Sequence, residues 1–425
     1  MNEILCQLPK MLTGEKLRNA LTVLPAYDES VCQMDSADRL LHLSDIYRIY
    51  IPSQMSAEIY SKLYLSMIRS LQKKHTRTAV MQGNENYKRI QNRPYEGIIG
   101  GSDSFTIIGC SGIGKSSAIA NSIQAATDNM ILEIESPYVR IIPCVICQCP
   151  HDCSVKGLLL EVLRKIDDSI GSDYYKQALR ARATTDMLIG NVSQAALNHI
   201  GVLVIDEIQN VCHNRNGINL VSVLTQLINN SGISICMVGT PESADFFEKE
   251  MQLARRSLGL QYMELPYSQY FKMFCQTVYR YQYVRNRTEL SDLITEWLYE
   301  HSSGLVSLVI SLIHDAQEIA IMNGSEVLDL HTLDMAYQER LKMMHDYIRP
   351  AIITNQSATV RNKKVTVRKT LKKEALEGSV SETEKKEPAS IGQTNIHTLI
   401  MKARNTDEDI VGLLRDYIYI AEVAV

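Results

Sequence analysis

The chain has 425 residues, which is enough for two or three domains with sizeable cores. Hydrophobic residues make up 45% and charged residues 22%, the composition of an ordinary soluble globular protein. The net charge of −4 excludes a general attraction to nucleic acid, so any nucleic-acid surface must be a local patch. No apolar run approaches the roughly 20 residues that a membrane-spanning helix needs, and no signal-peptide layout is present. We therefore expect a cytoplasmic protein with no membrane partner.

Residues 1–95 precede any recognisable chemical motif, and we assign them as an N-terminal region that contacts a partner. The segment Asp45–Pro52 predicts a short extended piece. Residues Ser56–Leu71 have the apolar spacing of a helix. Its apolar positions are Ile59, Leu63, Leu65, Ile68 and Leu71.

The stretch Gly109–Ser116 fits the pattern G-x-x-x-x-G-K-[ST] of a phosphate-binding P-loop at every fixed position. It stands between a predicted buried strand, 105–108, and a predicted helix, 117–123. The glycines let the backbone wrap a phosphate chain, with N–H groups and the helix N-terminus facing the negative charge. Lys115 is expected to reach the β- and γ-phosphates of ATP, and the Ser116 hydroxyl to ligate Mg²⁺.

Four cysteines crowd into a short segment: Cys144, Cys147, Cys149 and Cys153, with His151 among them. Such a cluster raises the possibility of a zinc site. Residues 140–146, however, have the pattern of a sheet strand, in which alternate side chains point to opposite faces. There is also no second C-x-x-C unit. We therefore interpret these cysteines as buried free thiols.

The segment Gly201–Glu207 is an apolar run that ends in two carboxylates, typical of a central parallel strand with an acidic tip. Asp206 is placed to hold Mg²⁺ through water, and Glu207 to orient or deprotonate the attacking water. A further strand, 233–239, ends at Thr240, which is either a sensor of the γ-phosphate or part of a plain turn. The predicted nucleotide-binding residues are Gly109, Cys110, Ser111, Gly112, Ile113, Gly114, Lys115, Ser116, Ser117 and Asp206, with Ser116 and Asp206 as the Mg²⁺ residues.

Strands and helices alternate from about residue 105 to 265, which indicates an α/β core with a parallel sheet covered on both faces. Helices without strands follow, to about residue 348. One predicted apolar face has Leu290, Leu293, Ile294, Trp297 and Leu298; the next has Leu305, Leu308, Val309, Leu312, Ile313 and Ala316, ending near Asn323-Gly324. An α/β nucleotide domain (96–266) followed by a small helical lid domain (267–350) is the layout of AAA+ P-loop NTPases.

Residues 351–395 read as a disordered charged linker, because they are rich in Lys, Glu, Ser and Thr and nearly free of aromatic residues. Its first part is basic, so transient DNA contact is an alternative to a solvated tether. Residues 396–425 carry apolar positions between Ile396 and Ile420 that fit short amphipathic helices. They are either a docking segment for another protein or a strap on the chain's own domain.

These motifs together resemble the TnsC/TniB transposition-regulator ATPases of Tn-seven-like transposons, TnsC more than TniB. The resemblance runs from about Tyr47 to Ile348. Its more specific matches are Pro150–Asp152 leading to Ser154–Leu159, Ile166-Asp167, Gly171–Tyr174 and Gln252–Arg256. It implies a bacterial, DNA-associated ATPase that assembles on double-stranded DNA as a ring or helical filament. It also implies two further partners, transposase subunits and a target selector of the TniQ/TnsD type.

Two sites follow from the resemblance alone. Lys156 matches the position of the family's DNA-backbone contact, and Lys176, Arg180 and Arg182 extend that basic surface; ordinary exposed helix charges are the alternative. Arg255 or Arg256 matches the segment that presents an arginine finger to a neighbouring subunit, unless it forms a plain surface salt bridge.

One departure from many AAA+ proteins is that the lid segment Ser302–Ser307 has no arginine at the place of a second phosphate sensor. The sequence thus predicts an ATP-dependent, DNA-binding AAA+ regulator of transposition whose lid senses the γ-phosphate weakly. Two other classes stay open at this stage. One is a signalling or defence ATPase that switches without DNA; the other is a helicase or replication-initiator loader.

Overall fold

The computed structural model describes residues 3–74, 76–100, 104–135, 138–210, 217–244 and 257–341. The predicted linker 351–395 and docking segment 396–425 lie outside these residues, as do Arg255 and Arg256. In the N-terminal region the helices are α1 (Glu3–Gln7), α2 (Gly14–Leu21), α3 (Ser36–Leu43), α4 (Gln54–Lys73) and α5 (Arg77–Ile90). The α/β core has β1 (Ser104–Gly109), α6 (Lys115–Thr127), β2 (Leu132–Glu135), β3 (Tyr138–Gln148), α7 (Val155–Ile170), α8 (Tyr174–Arg180), α9 (Thr185–His199), β4 (Ile200–Asp206), α10 (Gly217–Ser231), β5 (Ser234–Gly239) and β6 (Ser257–Tyr262). The lid has α11 (Gln269–Tyr279), α12 (Asp292–Ser302), α13 (Val306–Asn323) and α14 (Leu330–Arg340).

The core is a six-stranded sheet in the order β2-β3-β4-β5-β1-β6. Strands β3, β4, β5, β1 and β6 run parallel, which confirms the predicted α/β fold with a helical lid after it. The edge strand β2 is antiparallel to β3, so the sheet is parallel everywhere except at this edge. Only residues 136–137 separate these two strands, and a parallel pair needs a crossover of a dozen or more residues.

Helices cover both faces of the sheet, and the N-terminal region supplies part of that cover. On one face, α7, α9 and α10 form a core with residues of β3, β4 and β5. On the other face, α2, α4 and α6 pack with Phe105, Ile107 and Val204. The predicted helix 56–71 is confirmed as α4, although Leu65 is 43% exposed and lies off its buried face.

The segment Asp45–Pro52 is only partly extended, which corrects the prediction. Residues Ser44–Arg48 form a 3₁₀ turn, and the extended part is short, with Tyr50 bridging to Val23. Ser53 and Ser56 then form a capping box that begins α4, because each side chain bonds the other residue's backbone N–H. This arrangement places residues 49–56 between the sheet and the lid.

The lid has its own core, built mainly on α13. The predicted apolar positions Leu308, Val309, Leu312, Ile313 and Ala316 are buried there. Helix α13 ends as predicted, with Gly324 at φ +78°. N-terminal residues take part in this core too: Leu43, Ile46 and Ile49 are buried in it.

Helix α12 departs from its prediction at one position. Ile294 and Leu298 are buried, but Leu293 is 62% exposed because it lies on the solvent side of the helix. Within the described ranges, no single helix is long and apolar enough to cross a membrane; α12 and α13 meet such a test only as a pair bent by 118°.

Candidate nucleotide-binding site

The P-loop connects β1 to α6 and has the backbone that its sequence predicts. Gly112 and Gly114 have φ of +84° and +90°, values that residues with a Cβ rarely adopt. The Lys115 ammonium donates to the carbonyls of Gly109 and Cys110, at 2.6 and 2.9 Å. Burial lowers the pKa of Lys115, while the negative charges of Asp206 and Glu207 act in the opposite direction. The loop therefore folds around its own lysine at the edge of the sheet.

Asp206 lies at the tip of β4, two strands away from β1 in the sheet. The hydroxyl of Ser116 donates to its Oδ2 at 3.0 Å, although the two residues are 90 positions apart. Parallel strands bring their carboxyl ends to the same edge, which explains the meeting. The structure thus brings together the two residues predicted to hold Mg²⁺.

Glu207 follows β4 in a left-handed conformation, with φ of +57°. Its backbone N–H donates to Asp206 Oδ1 at 2.8 Å, and its carboxylate accepts a hydrogen bond from the Gln209 amide. The Gln209 Oε1 atom is buried and has no hydrogen-bond partner among the described residues. No sequence motif marks Gln209, a glutamine two residues after the acidic tip.

Thr240 comes directly after β5, the strand between β4 and β1. It lines the same cavity as Lys115, Ser116 and Glu207, which has a volume of about 960 Å³. Its hydroxyl is 3.4 Å from Glu242 Oε2. The position is compatible with the predicted sensor, and the sensing itself stays a prediction. We call this side of the cavity the phosphate half: residues 111–116, Asp206, Glu207, Gln209 and Thr240.

The opposite wall of the cavity, which we call the lid half, comes from two distant parts of the chain. The N-terminal region gives residues 49–51 and 53–56, and the lid gives Tyr270, Phe274 and Ile310. The Tyr270 hydroxyl joins the two parts by donating to the Ile51 carbonyl at 2.8 Å. No sequence pattern predicts this wall, because its apolar and tyrosine residues look like ordinary core positions.

The donor set of the cavity fits a nucleotide with Mg²⁺. A serine hydroxyl and a carboxylate are the oxygen ligands that Mg²⁺ prefers, and a lysine lies beside them. The cavity volume of about 960 Å³ is at the upper end of the range of about 300–1,000 Å³ typical of cofactor sites. The buried, unpaired Gln209 Oε1 offers a further polar contact beside Glu207.

The comparison with protein families decides the type of core. Residues 100–247 match the family described as an AAA domain. This core is an AAA+ domain. No curated protein matches the chain in sequence.

Solved structures resemble the chain only distantly. The Aeropyrum pernix ORC1 protein in complex with DNA is 14% identical, with a TM-score of 0.41 over 64% of this chain and 66% of that one. The chain thus spans just under two thirds of that protein. Drosophila ORC bound to DNA is 12% identical, with a TM-score of 0.43 over 78% of this chain and 70% of that one. Domain III of the Thermotoga maritima replication initiation protein DnaA is 14% identical, with a TM-score of 0.33 over 65% and 94%. Likeness at this level carries no argument about function.

The cysteines of β3 and the turn after it lie on different faces of the AAA+ sheet. Cys144 packs toward the α4 side, whereas Cys147, Cys149 and Cys153 are buried on the α7 side. Burial raises the pKa of Cys144 and of Cys147 to about 12. The alternation predicted from the strand pattern is present, and the thiols of β3 stay protonated at neutral pH.

The residues assigned to DNA lie on α7 and α8. Lys156 is exposed in the first turn of α7 and forms no ion pair with any described residue. Lys176 pairs with Asp173 at 2.9 Å, and Arg180 and Arg182 are exposed at the end of α8 and just after it. Exposure is what a phosphate contact requires, and their role stays a prediction.

Helix α8 is fixed to α7 through Asp167. One carboxylate oxygen of Asp167 accepts from the Ser172 hydroxyl at 2.6 Å and from the Tyr174 N–H at 2.9 Å. The other oxygen accepts from the Tyr175 N–H at 2.9 Å. These bonds cap the N-terminus of α8. They give a structural reason why Asp167, Ser172 and Tyr174 occur together in the sequence.

Proposed function

We propose that this chain is an ATP-dependent, DNA-binding AAA+ regulator that oligomerises on target DNA and links target selection to the transposase in DNA transposition. The ATPase part is carried by one observation: Ser116 and Asp206 meet at 3.0 Å beside Lys115, inside the cavity of an AAA+ domain. The transposition part is supported by the resemblance in residues 150–174 and 252–256.

Bound ATP with Mg²⁺ supplies the transferable γ-phosphoryl group and the metal charge that neutralises it. Lys115 binds the phosphates, and Ser116 and Asp206 hold the metal. Glu207 orients the attacking water and accepts its proton, while the Gln209 amide keeps the Glu207 carboxylate in place between turnovers. The base and sugar contact the lid half of the cavity.

Oligomerisation completes the site in this proposal, because Arg255 or Arg256 of one subunit reaches the γ-phosphate bound by its neighbour. Lys156 contacts the DNA backbone, assisted by Lys176, Arg180 and Arg182. Contacts to phosphates position a protein on the duplex without reading its sequence. Residues 396–425 then recruit a transposase subunit at the end of the charged linker 351–395.

The test is duplex DNA binding at several salt concentrations, with ATP or ADP present and with two unrelated sequences. We expect ATP-dependent binding that ignores sequence, and ATP turnover that DNA stimulates. The Lys156→Ala variant weakens binding equally on both duplexes and makes the salt dependence shallower by about one counterion. Lys16→Ala is the charge-matched control, because Lys16 is exposed on α2, on the opposite face of the sheet from α7.

Three outcomes would contradict the proposal in different ways. Turnover and assembly that are indifferent to DNA would favour the signalling or defence class of ATPase. Strand separation driven by ATP would favour a helicase. Unchanged DNA affinity in Lys156→Ala across the salt titration would leave DNA binding in place but remove Lys156 from the DNA surface.

A further inference from the structure

The first turn of α13 touches the P-loop directly. The Ser307 backbone N–H donates to the Gly112 carbonyl at 3.1 Å. A Cβ placed on Gly112 would lie only 2.3 Å from the Ser307 hydroxyl oxygen. The hydroxyl therefore lies beside the bare Cα of Gly112, and any side chain at this position would have to displace it. The φ of Gly112, +84°, favours glycine here independently of this contact.

The chain just before Ser307 is held as tightly from the other side. Gly304 has φ of +76°, and a Cβ placed on it would lie 2.1 Å from the Leu265 carbonyl oxygen. The Leu265 N–H donates back to the Gly304 carbonyl at 3.2 Å. Between these contacts, Val306 lies at van der Waals distance from Gly114 of the P-loop, 3.7 Å from the position of its Cβ. The start of α13 is thus fitted between the P-loop and the segment that follows β6.

Ser307 lines the nucleotide cavity together with Lys115 and Ser116. A serine hydroxyl can donate one hydrogen bond but carries no charge. An arginine at this place would carry a permanent charge that attracts the γ-phosphate. The lid meets the P-loop through a backbone hydrogen bond and a hydroxyl, and neither contact carries a charge. The attachment of the lid therefore depends on the shape of the P-loop, which we expect to be the same with ATP and with ADP bound.

We propose that Ser307 is a latch that closes the lid on Gly112 equally well over ATP and over ADP. The inference rests on the proposed nucleotide-binding function of the cavity and deepens it. Discrimination between the two nucleotides then depends on Glu207 and Thr240, at the strand ends of the phosphate half, and on the neighbouring subunit. A lid that stays closed over ADP also slows nucleotide exchange. Slow exchange is expected of a regulatory ATPase more than of one that does mechanical work.

The experiment measures the Kd of ADP and of a non-hydrolysable ATP analogue with the full chain and three variants of Ser307. Ser307→Leu overfills the contact with Gly112, so we expect both Kd values to rise by the same factor, at least about 5-fold. Ser307→Ala keeps the backbone bond and removes a hydroxyl that forms no hydrogen bond with any described residue, so both should rise by less than in Ser307→Leu. Ser307→Thr keeps the hydroxyl and stays closest to the unmodified chain.

Ser325→Leu is the control, because Ser325 is an exposed serine of the same lid outside the cavity. Thermal melts without nucleotide verify that each variant is folded. Unchanged Kd values in both Ser307→Leu and Ser307→Ala would overturn the latch. If the affinity for the ATP analogue falls several times more than the affinity for ADP, the proposal that the Ser307 contact does not distinguish the two nucleotides is wrong.

Failure of the latch can be told apart from failure of the proposed function. If the unmodified chain binds neither nucleotide, both the latch and the proposed nucleotide-binding function are wrong. If nucleotide binding responds to Ser307 as expected but DNA has no effect on turnover, the latch stands and the DNA-binding role falls.

Discussion

The two halves of the nucleotide cavity are built on different principles. The phosphate half uses charged and hydroxyl side chains of fixed type at strand ends, such as Lys115, Ser116 and Asp206. The lid half uses backbone, tyrosines and apolar side chains from residues 49–56 and from the lid. The residues of the phosphate half come together because they lie at one edge of the sheet. The lid half depends on two regions more than two hundred residues apart in the chain, joined by bonds such as Tyr270 to Ile51.

This difference has a chemical reason. Phosphate groups and a metal ion need opposite charge at a definite place, so few residue types serve there. A flat base needs an apolar cleft of the right width, which many combinations of side chains provide. We therefore expect substitutions in the phosphate half to act on chemistry, and substitutions around the lid half to act on stability and by small factors on affinity.

The largest effect is expected for Lys115→Ala. This change removes the only cation that contacts the P-loop carbonyls among the described residues, so ATP binding and turnover should be lost. Equilibrium binding of a fluorescent nucleotide measures the loss, with Lys16→Ala as the charge-matched control. Binding of ATP at near-normal affinity by Lys115→Ala would show that the cavity recognises nucleotide through its lid half instead.

Glu207→Gln should separate binding from chemistry. The amide keeps the size of the side chain but cannot accept a proton, so turnover should fall by about 10²–10⁴-fold while nucleotide binding persists. Steady-state phosphate release and nucleotide Kd, measured on the same preparation, give the two quantities. Near-normal turnover would remove Glu207 from its catalytic role and direct attention to other polar groups at that end of the cavity.

The sequence predicts the phosphate half residue by residue, because its chemistry demands fixed spacing. Residues 111–117, Asp206, Glu207 and Thr240 line the cavity as expected, whereas Gly109 and Cys110 of the P-loop do not. The parallel core and the buried face of α13 follow from apolar runs in the same way. Gln209 could not be foreseen, since its importance comes from the turn that carries it back to the Glu207 carboxylate.

The sequence predicts the lid half poorly, because its walls meet only through tertiary packing. Residues 49–51 carry no motif, and their place beside the lid depends on the 3₁₀ turn before them and the capping box after them. The antiparallel strand β2 was missed for a related reason. Its four residues give too short a pattern to show direction, and the connection of only two residues to β3 decides the pairing.

Arg39→Met should lower stability rather than chemistry. The Arg39 side chain is fully buried, and its guanidinium donates two bonds to Glu326, at 2.6 and 2.7 Å, and one to the Tyr283 carbonyl. It thereby fastens α3 to the lid. Without Arg39, the Glu326 carboxylate, which is 15% exposed, still has the longer ion pair to Arg285 at 4.0 Å. The loss should therefore lie below the cost of about 3–5 kcal/mol expected when a fully buried charge is left unpaired. Urea denaturation measures the change in free energy of unfolding.

Arg48→Met is the matched control for Arg39→Met. The Arg48 side chain is exposed, so its ion pair with Asp45 should contribute about 0–1 kcal/mol to the free energy of unfolding. Arg39 also holds the pKa of Glu326 below its usual range. This contribution is present above the unfolded pKa of Glu326 and is lost as pH falls through the lower, folded pKa. The stability gap between the unmodified chain and Arg39→Met should therefore narrow in acid. A gap that is absent, or independent of pH, would contradict the role given to the pair.

The smallest effect is expected for Tyr270→Phe. The change removes the Tyr270 hydroxyl, whose hydrogen bond to the Ile51 carbonyl holds the N-terminal segment against the lid at the cavity wall. A hydrogen bond of this kind contributes about 0.5–1.5 kcal/mol, so nucleotide Kd should rise by about 2- to 10-fold. Tyr281→Phe is the matched control: its hydroxyl also donates to an N-terminal carbonyl, that of Pro25 at 3.1 Å, but Tyr281 does not line the cavity. Equal effects of the two changes on Kd would mean that the lid half acts only through overall stability. An effect of Tyr270→Phe alone would show that a single hydrogen bond shapes the wall that the nucleotide contacts.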